Sequence, residues 1–276
     1  MQTRADLHCH TNASDGVLPP AALVQLAAAR KLDVVAITDH DTVAGVSAAR
    51  DAASRLDVEV VAGVEISCLH VNKDVHVVGL FIDIDNARLL SLLECSRAAR
   101  KEASIRVIKR LVDLGAPLDD VETDDLMRGE MIGRAHFARA LIRAGHVASM
   151  NEAFNRFLGE GKPAYVSRER PTVSEACEVI HEAGGVAALA HPGGKPGLLS
   201  KEAVQSMALD GIDAVEAYHP AHDKRTVTRV KRWAASMGLL ITGGSDFHGP
   251  GEGADLGVCF VGAEELEMLR SKAASY

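Results

Sequence analysis

Short apolar segments typical of buried strands alternate with amphipathic helical segments along most of this 276-residue chain. The strand-like segments are RADLHCH, DVVAITDHD, VEVVAGVEIS, DVHVVGLFID, VAALAHP, IDAVEAYHP and LLITGGSDFH. The helical segments include PPAALVQLAAARK, VAGVSAARDAASRL, SEACEVIHEAGG, SKEAVQSMALDG and DKRTVTRVKRWAASMG. This alternation predicts parallel strands joined by right-handed crossovers. Seven such strands favour an α/β fold of the β/α barrel type over an open sheet.

One long stretch, residues 87–166, contains no convincing buried strand. It reads instead as three helices, RLLSLLECSRAARKEASIRVIKRLVDLG, RAHFARALIRAG and MNEAFNRFLGEG. We therefore expect a barrel built from residues 1–86 and 167–276, with residues 87–166 as a small helical insertion domain. An insertion in a loop at the barrel mouth would contribute substrate contacts there.

Composition narrows the classes of protein and partner. Aromatic residues are 4% of the chain, so Ala, Val, Leu and Ile must fill the core, and the net charge of −8 gives no case for broad binding to nucleic acid or anionic membranes. The five cysteines are scattered without a CxxC pair, which is typical of thiols in a reducing compartment. No signal peptide or apolar span of ~18 residues is visible. We expect a cytoplasmic protein with no membrane contact and no obligate protein partner.

Polar residues follow or interrupt the apolar run in nearly every predicted strand: DLHCH, ITDHD, GVEIS, DVHVVG, LAHP, AYHP and GSDFH. In a β/α barrel the carboxyl ends of the strands meet at one mouth. His8 and His10 are two residues apart and so face the same side of a strand, as do Asp246 and His248. Any one of these histidines could be a hydrogen-bonded structural residue. Acid or imidazole groups at one end of seven strands together predict a divalent metal site.

The ordered motifs DLHCHT, SDG, ITDHD, GVEIS, VHVVG, AHP and GSDFH resemble the PHP (polymerase and histidinol phosphatase) family over nearly the whole chain. The resemblance implies a distorted (β/α)7 barrel holding up to three divalent ions. Carried over by motif, it implies a first ion on His8, His10, Glu65 and Asp246, a second on Glu65, His76 and His191, and a third on Asp15, His40 and His248. All nine positions carry the expected residue type, which favours a trinuclear over a binuclear site.

The residue types agree with hydrolytic metal chemistry. Mixed imidazole and carboxylate ligands suit Mn²⁺, Fe²⁺ or Zn²⁺, and a cysteine ligand set typical of structural zinc is absent. Three divalent ions are therefore expected, with Mn²⁺ as the first choice and Zn²⁺ or Fe²⁺ as alternatives. Clustered dications acidify water and clamp phosphoryl oxygens, and neither GxSxG nor GxxxxGK occurs in the chain. We predict a metal-dependent phosphatase that uses metal-bound hydroxide.

The segment GRAHFARAL, residues 133–141, resembles the branch of the family that acts on nucleotides. That branch includes 3′,5′-nucleoside bisphosphate phosphatases, which release the 3′-phosphate from pAp-like molecules, and members that trim RNA from its 5′ end. A substrate with two phosphates needs a cationic anchor away from the metals. The candidates are Arg97, Arg100, Lys101, Arg134 and His136. The alternative is that these side chains are charges on a solvated helical face.

Other polar residues have less specific signals. Asp246, His219 or water could protonate the leaving oxygen, although His219 could equally be structural. Lys195, in the glycine-rich loop HPGGKPG, could cradle an anion. Asp39 and Asp41 flank His40, and one of them is expected to orient it. The remaining histidines are expected on the surface or on helices: His70, His146, His181 and His222.

Three alternative functions remain open from the sequence. An amidohydrolase shares the HxH motif, but the metal-bridging lysine usual in that class is missing and Glu65 takes a comparable place. A phosphoesterase could instead act on histidinol phosphate, which would leave the insertion arginines without a role, or on the 5′ end of RNA. The acidic charge and the lack of a visible basic stripe argue against long RNA, but not against short oligonucleotide ends. A non-catalytic metal-stabilised module would be favoured by a missing ligand, and none is missing.

Overall fold

The computed structural model describes residues 3–71, 73–128, 132–194 and 197–276. Within them, seven strands form one sheet in sequence order: β1 (Ala5–Asp6), β2 (Val34–Ile37), β3 (Glu59–His70), β4 (Lys73–Leu80), β5 (Val186–Leu189), β6 (Ala214–Tyr218) and β7 (Leu240–Gly243). The two edges meet, because Leu7 N donates to Gly243 O at 3.1 Å and Cys9 pairs with Phe247. The predicted distorted, seven-stranded barrel is confirmed.

Strand β4 runs against its neighbours. It pairs antiparallel with both β3 and β5, whereas the other adjacent pairs are parallel. The prediction of parallel pairing throughout is wrong here because only residues 71 and 72 join β3 to β4, and a parallel connection needs a dozen or more. The reversal places the beginning of β4 at the mouth. His76, the fourth residue of β4, thereby pairs with Ser67 beside Glu65.

Alternate strand residues fill the barrel or face its helices. Val34 and Ala36 of β2 belong to the interior cluster, whereas Val35 and Ile37 pack outward. The outer layer consists of α1 (Pro20–Ala29), α2 (Ala44–Ala53), α7 (Val173–Glu182), α8 (Lys201–Leu209) and α9 (Lys224–Met237). A further helix that the sequence patterns did not predict, α10 (Ala263–Ala273), adds Leu266 and Leu269 to the interior cluster. The pairing of Val261 with Ala5, at the start of β1, puts α10 at the end opposite the mouth.

The chain forms two compact units, residues 1–93 with 171–276, and residues 94–170. The second unit begins within α3 (Ala87–Asp113) and contains α4 (Asp120–Arg128), α5 (Arg134–Arg143), α6 (Met150–Ala153) and a π-helical turn, Phe154–Leu158. It has an apolar core of its own, in which Leu111, Phe137 and Leu141 are almost fully buried. Helix α4 was not predicted, and MNEAFNRFLGEG forms α6 with the π turn rather than one regular helix. No helix among the described residues has the length and apolar character needed to cross a membrane.

Candidate metal centre

Glu65 is the centre of the polar cluster at the barrel mouth. Its side chain is 1% exposed and lies on the inner face of β3. Five imidazole nitrogens surround its two oxygens. Three of them face Oε2: His8 Nε2 at 3.3 Å, His10 Nε2 at 3.2 Å and His40 Nδ1 at 3.0 Å. Two face Oε1: His76 Nδ1 at 2.7 Å and His191 Nε2 at 3.0 Å. Glu65 thus joins the first and second predicted ligand sets.

Asp246 and Asp15 complete the cluster on either side of His10. Asp246 Oδ1 lies 3.2 Å from His10 Nε2 and 3.5 Å from His8 Nε2. Asp15 Oδ1 lies 3.3 Å from His248 Nε2, and Asp15 Oδ2 lies 3.8 Å from His40 Nε2. Three groups have ligand atoms within 4.8 Å of one another: His8, His10, Glu65 and Asp246; His10, Asp15, His40 and His248; and His40, Glu65 and His76. The nine side chains that the sequence singled out as ligands therefore lie together in one unit.

The groupings differ in detail from the expected ligand sets. His10 and His40 each belong to two groups, and the third group joins His40 rather than His191 to Glu65 and His76. His191 nevertheless reaches Glu65 Oε1 from the end of β5. The cluster is thus one continuous array of imidazoles and carboxylates in which neighbouring groups share members.

The buried atoms of the cluster test whether a cation fits it. Five of them have no hydrogen-bond partner within the described residues: His8 Nε2, His10 Nδ1, His10 Nε2, His40 Nδ1 and Glu65 Oε2. An unsatisfied buried polar atom costs about 1–3 kcal/mol. His8 Nδ1 donates to Glu216 Oε1 at 3.1 Å, and His248 Nδ1 donates to the Asp246 carbonyl at 2.8 Å. In the neutral rings, Nε2 therefore points a lone pair at carboxylate oxygens. A cation between them turns that repulsion into ligation, so the residues fit divalent metal ions.

The pKa values of the cluster residues are shifted because buried groups of opposite charge lie close together. Burial raises the pKa of the Glu65 carboxyl, but His40, His76 and His8 together hold it well below its usual range. Burial also lowers the pKa of His10, but its contacts with Asp246 and Glu65 outweigh burial and raise that pKa to about 10. For His40 burial prevails and lowers the pKa to about 3. Burial also raises the pKa values of Asp15 and Asp246, but the neighbouring imidazoles hold both well below their usual range. The three acids of the cluster are therefore ionised at neutral pH, as metal ligation requires.

Glu216 is a buried residue of the site that the sequence analysis missed. It lies on β6, 2% exposed, and accepts from His8 Nδ1 at 3.1 Å and from the His191 backbone N–H at 2.7 Å. His191 has a φ of +26°, which is strained for a residue with a side chain. One carboxylate thus fixes the His8 tautomer and holds the His191 backbone. The signal in the sequence was an acid inside an apolar strand, AVEAY.

His219 faces the cluster from the end of β6. Its Nε2 lies 3.5 Å from Asp246 Oδ2, and its Nδ1 accepts a hydrogen bond from Ala221 N at 3.1 Å. In the neutral ring the proton is therefore on Nε2, the nitrogen directed at Asp246. The side chain is almost fully buried, whereas that of Asp246 is 27% exposed.

His222 contradicts the expectation that it lies on the surface or on a helix, because it is buried in the loop before α9. It is 8% exposed, its Nδ1 donates to Ala217 O at 2.9 Å, and its Nε2 accepts from Gly193 N at 2.9 Å. It therefore joins the loop after β6 to the loop that carries His191. A Cβ on Gly193 would lie 2.6 Å from the His222 ring, so this close approach requires glycine. The other three histidines without a predicted role have partners outside the cluster: His70 beside Asp210, His146 at Pro117 O and His181 at Asp213.

Within the described part of the chain, neither Asp39 nor Asp41 hydrogen-bonds to the His40 imidazole, contrary to our expectation. Asp39 accepts from Thr11 N, Thr11 Oγ1 and Ser14 Oγ at 2.6–2.7 Å, so it fixes the loop after β1 that carries Asp15. Asp41 accepts from Ser67 N at 2.9 Å. These bonds stabilise the loops around the cluster.

The predicted phosphate anchors lie in the second unit. The Arg134 guanidinium is above the rings of Tyr165 and Phe154, at 5.6 and 6.0 Å from their centres. His136 Nδ1 accepts from Gly133 N, and the Arg100 guanidinium lies beside Gly133. Arg97 pairs with Glu94, and Lys101 is exposed on α3. Lys195 lies outside the described residues.

Sequence comparison identifies the family to which this barrel and its cluster belong. Residues 6–159, more than half of the chain, match the family model described as the PHP domain. The chain belongs to the PHP domain family. The resemblance drawn from the strand-end motifs is thereby confirmed.

Individual relatives and solved structures agree with the assignment to the PHP domain family. A 5′-3′ exoribonuclease of Haemophilus influenzae is 37% identical over 259 residues, covering 93% of this chain and 94% of that protein. A 3′,5′-nucleoside bisphosphate phosphatase of Chromobacterium violaceum is 36% identical over 260 residues, covering 90% and 88%. A crystal structure described as a metal-dependent phosphoesterase, from Bifidobacterium adolescentis, superposes with a TM-score of 0.91 at 31% identity over 98% of this chain and 96% of that one. This PHP protein is a metal-dependent phosphoester hydrolase.

Proposed function

We propose that this PHP protein removes the 3′-phosphate from 3′,5′-nucleoside bisphosphates, giving 5′-mononucleotides and inorganic phosphate. The observation that carries the hydrolytic part is the cluster of six imidazoles and three carboxylates around buried Glu65, in which five imidazoles contact Glu65 and five buried atoms have no hydrogen-bond partner among the described residues. The nucleotide part rests on the 36% identity to the Chromobacterium violaceum phosphatase and on the GRAHFARAL segment of α5.

Three divalent ions would occupy the cluster, with Mn²⁺ as the first choice and Zn²⁺ or Fe²⁺ as alternatives. The proposed ligands are His8, His10, Glu65 and Asp246 for the first ion, Glu65, His76 and His191 for the second, and Asp15, His40 and His248 for the third. Bound there, such ions acidify a water molecule and neutralise charge on the phosphoryl oxygens. Glu65 would bridge because its two oxygens face different imidazoles.

His219 and Asp246 would orient and transfer protons on the side of the cluster where Asp246 is partly exposed. The Ala221 N–H holds the proton of neutral His219 on Nε2, where it can be donated to the departing 3′ oxygen. Asp246 is the most exposed acid of the cluster and lies 3.5 Å from that nitrogen. Its second oxygen is thus available to orient water or the His219 proton while the first serves as a ligand.

Cations of the helical unit would hold the 5′-phosphate that remains on the product. The planar fork of Arg134 suits bidentate recognition of phosphate, and the rings of Tyr165 and Phe154 limit its orientations. Arg97, Arg100, Lys101 and His136 are the further candidates, and Lys195 is proposed as an anion contact in the loop after His191.

The decisive experiment is a substrate comparison. Purified protein supplied with Mn²⁺ is tested for phosphate release from pAp, AMP and histidinol phosphate, and for release of mononucleotides from 5′-phosphorylated oligonucleotides. We expect the highest kcat/KM for pAp, and Glu65→Gln should be inactive on every substrate. Exposed Glu160→Gln is the matched control. Faster hydrolysis of AMP or histidinol phosphate than of pAp would refute the assignment.

A second candidate, release of mononucleotides from the 5′ end of RNA, is favoured by the Haemophilus influenzae relative. The two reactions are chemically close. In pAp the 3′-phosphate is a monoester. In a 5′-phosphorylated oligonucleotide the phosphate at the same position is a diester, which is also bonded to the next nucleoside. Breaking the bond between that phosphorus and O3′ gives a 5′-mononucleotide in both cases. The substrate comparison above distinguishes the two by their kcat/KM.

A further inference from the structure

Helix α9 carries a concentrated positive charge in an acidic protein. Its sequence, KRTVTRVKRWAASM, contains five cations and no acid, although the chain as a whole has a net charge of −8. Lys231 is engaged, because its Nζ donates to Tyr218 OH at 2.8 Å and Glu264 and Glu265 of α10 act on it. The other four are exposed: Lys224, Arg225, Arg229 and Arg232. We call these four the α9 cationic face.

The packing of α9 turns these four side chains outward. Val230 and Ala234 are buried against the barrel, so the opposite side faces solvent. Arg225, Arg229 and Arg232 have the spacing i, i+4 and i+7, which places them in one row. Among the described residues, no carboxylate forms an ion pair with any member of the α9 cationic face.

This arrangement is unfavourable for the isolated helix. Lys224 and Arg225 occupy its first turn, where the helix dipole favours acids, and Asp223, the N-cap, is the one acid beside them in sequence. Arg225 and Arg229 are like charges at i, i+4, which repel each other. An anion with regularly spaced charges removes both costs. An exposed row of cations that is costly in the free protein therefore points to a polyanionic partner.

The position of α9 relates that partner to the active site. The helix begins five residues after His219, at the barrel mouth, and ends at Gly238 before β7. At 1.5 Å per residue its 14 residues extend about 21 Å from the mouth. A chain of phosphodiesters that left the metal cluster at this side could follow the helix over several nucleotides. The expectation that the protein lacks a basic stripe is thus wrong.

We propose that the α9 cationic face binds the backbone of single-stranded nucleic acid on the downstream side of the scissile phosphate. The inference rests on the proposed function, in which the bond between phosphorus and O3′ is broken. For an oligonucleotide, the oxygen of water adds to that phosphorus, O3′ leaves with a proton, and the remaining chain keeps a 5′-phosphate. That remaining chain is the polyanion that α9 holds.

Anionic lipid is the less suitable partner. A helix that lies on a membrane inserts a wide apolar face, whereas the apolar residues of α9 (Val227, Val230, Trp233 and Met237) are turned toward the barrel or half-buried. Long phosphodiester chains need only cations in a row, since the phosphates supply most of the affinity.

The test compares two double variants that remove the same charge. Arg229→Gln/Arg232→Gln removes two members of the face that lie beyond the first turn of α9, and Arg50→Gln/Arg55→Gln removes two exposed cations, one in the last turn of α2 and one just after it. Binding of a fluorescent, 5′-phosphorylated 12-nucleotide RNA is measured by anisotropy in EDTA over a series of salt concentrations. With Mn²⁺, kcat/KM is measured for the same RNA and for pAp.

We expect the α9 variant to bind RNA about tenfold more weakly at low salt. Its plot of log K against log salt should be shallower by about 1.4, since each phosphate contact contributes ~0.7 for single strands. Its kcat/KM for RNA should fall in parallel while that for pAp is unchanged, and the α2 variant should match the native protein.

Equal RNA binding by the α9 variant and the native protein would overturn the proposal, as would a native protein that binds no RNA at low salt. Binding to phosphatidylserine vesicles that depends on α9, without α9-dependent RNA binding, would overturn it in favour of a membrane. If neither pAp nor RNA is hydrolysed but RNA binding still depends on α9, the proposed function fails and the α9 cationic face stands.

Discussion

The two carboxylate oxygens of Glu216 accept hydrogen bonds from two donors. A glutamine in its place has one oxygen in this position and can accept from only one of them. Glu216 Oε2 lies 2.7 Å from His191 N and Glu216 Oε1 lies 3.1 Å from His8 Nδ1. In Glu216→Gln the amide oxygen should keep the shorter bond to His191, so the NH₂ group faces His8. His8 then accepts at Nδ1 and carries its proton on Nε2. That proton points at Glu65 and Asp246, where the neutral native ring offers a lone pair.

The expected magnitude follows from the role of such supporting hydrogen bonds. Loss of a hydrogen bond that orients a ligand imidazole typically lowers metal affinity or activity 10–100-fold. The corresponding loss of binding free energy is about 1.4–2.8 kcal/mol. Shape and volume are retained, so the free energy of unfolding in the absence of metal should fall by only about 1–3 kcal/mol, the cost of one unmatched buried donor.

Two measurements check this prediction. Competition with a fluorescent chelator gives the Mn²⁺ affinity of the native protein, Glu216→Gln and the exposed control Glu160→Gln. Burial lowers the pKa of His8, but Glu216, Glu65 and Asp246 outweigh burial and raise it. Nitrogen-15 NMR of the metal-free protein is therefore recorded at a pH high enough to leave the ring neutral, where it reports which nitrogen of His8 is protonated, independently of activity. Native Mn²⁺ affinity in Glu216→Gln would refute the reasoning, and so would weakened affinity with an unchanged His8 tautomer, because the structural argument acts only through that proton.

Asp246→Asn should abolish phosphate release from pAp without lowering the thermal unfolding temperature, because it removes a ligand at the exposed side of the cluster. Gly244→Ala should lower the free energy of unfolding by about 1–3 kcal/mol in urea, since its Cβ would lie 2.4 Å from His8 Cβ. Asp213→Asn should cost about 1–3 kcal/mol at pH 7, because Asp213 accepts from His181, Ala187 N and Tyr276. Burial raises the pKa of Asp213, but these bonds prevail and lower it, so its contribution is full above about pH 4. Urea titrations should therefore show this difference shrinking as the pH falls below that value.

Most of the ligand residues could be predicted from the sequence because a local pattern marks their positions. An apolar run that meets His, Asp or Glu marks the end of a strand, and barrel geometry brings such ends together. Glu65 lies inside β3 rather than at its end, and His76 is the more instructive exception. It stands near the beginning of its strand, and only the reversal of β4 brings it to the mouth. The two-residue connection before β4 is visible in the sequence, but the regular alternation of strands and helices along the rest of the chain favours parallel pairing.

The residues that support the ligands were harder to predict. Glu216 and His222 act through partners 25 or more positions away, His8, His191 and Gly193, and no spacing in the sequence links them. The cations of α9 could be read directly from the sequence. Their significance depends on which side of the helix packs against the barrel.

The sequence by itself predicted the barrel from its hydrophobic periodicity. Through the resemblance of its motifs to the PHP family, it also predicted the nine polar side chains at the mouth and the hydrolytic chemistry that they favour. Periodicity and motifs are local properties of the chain. Only the tertiary structure decided the direction of β4, the central position of Glu65 among five ring nitrogens, the tautomers of His8 and His219, and the outward row of charge on α9. Each of these depends on distances between segments that are remote along the chain, and those distances are fixed only when the core packs.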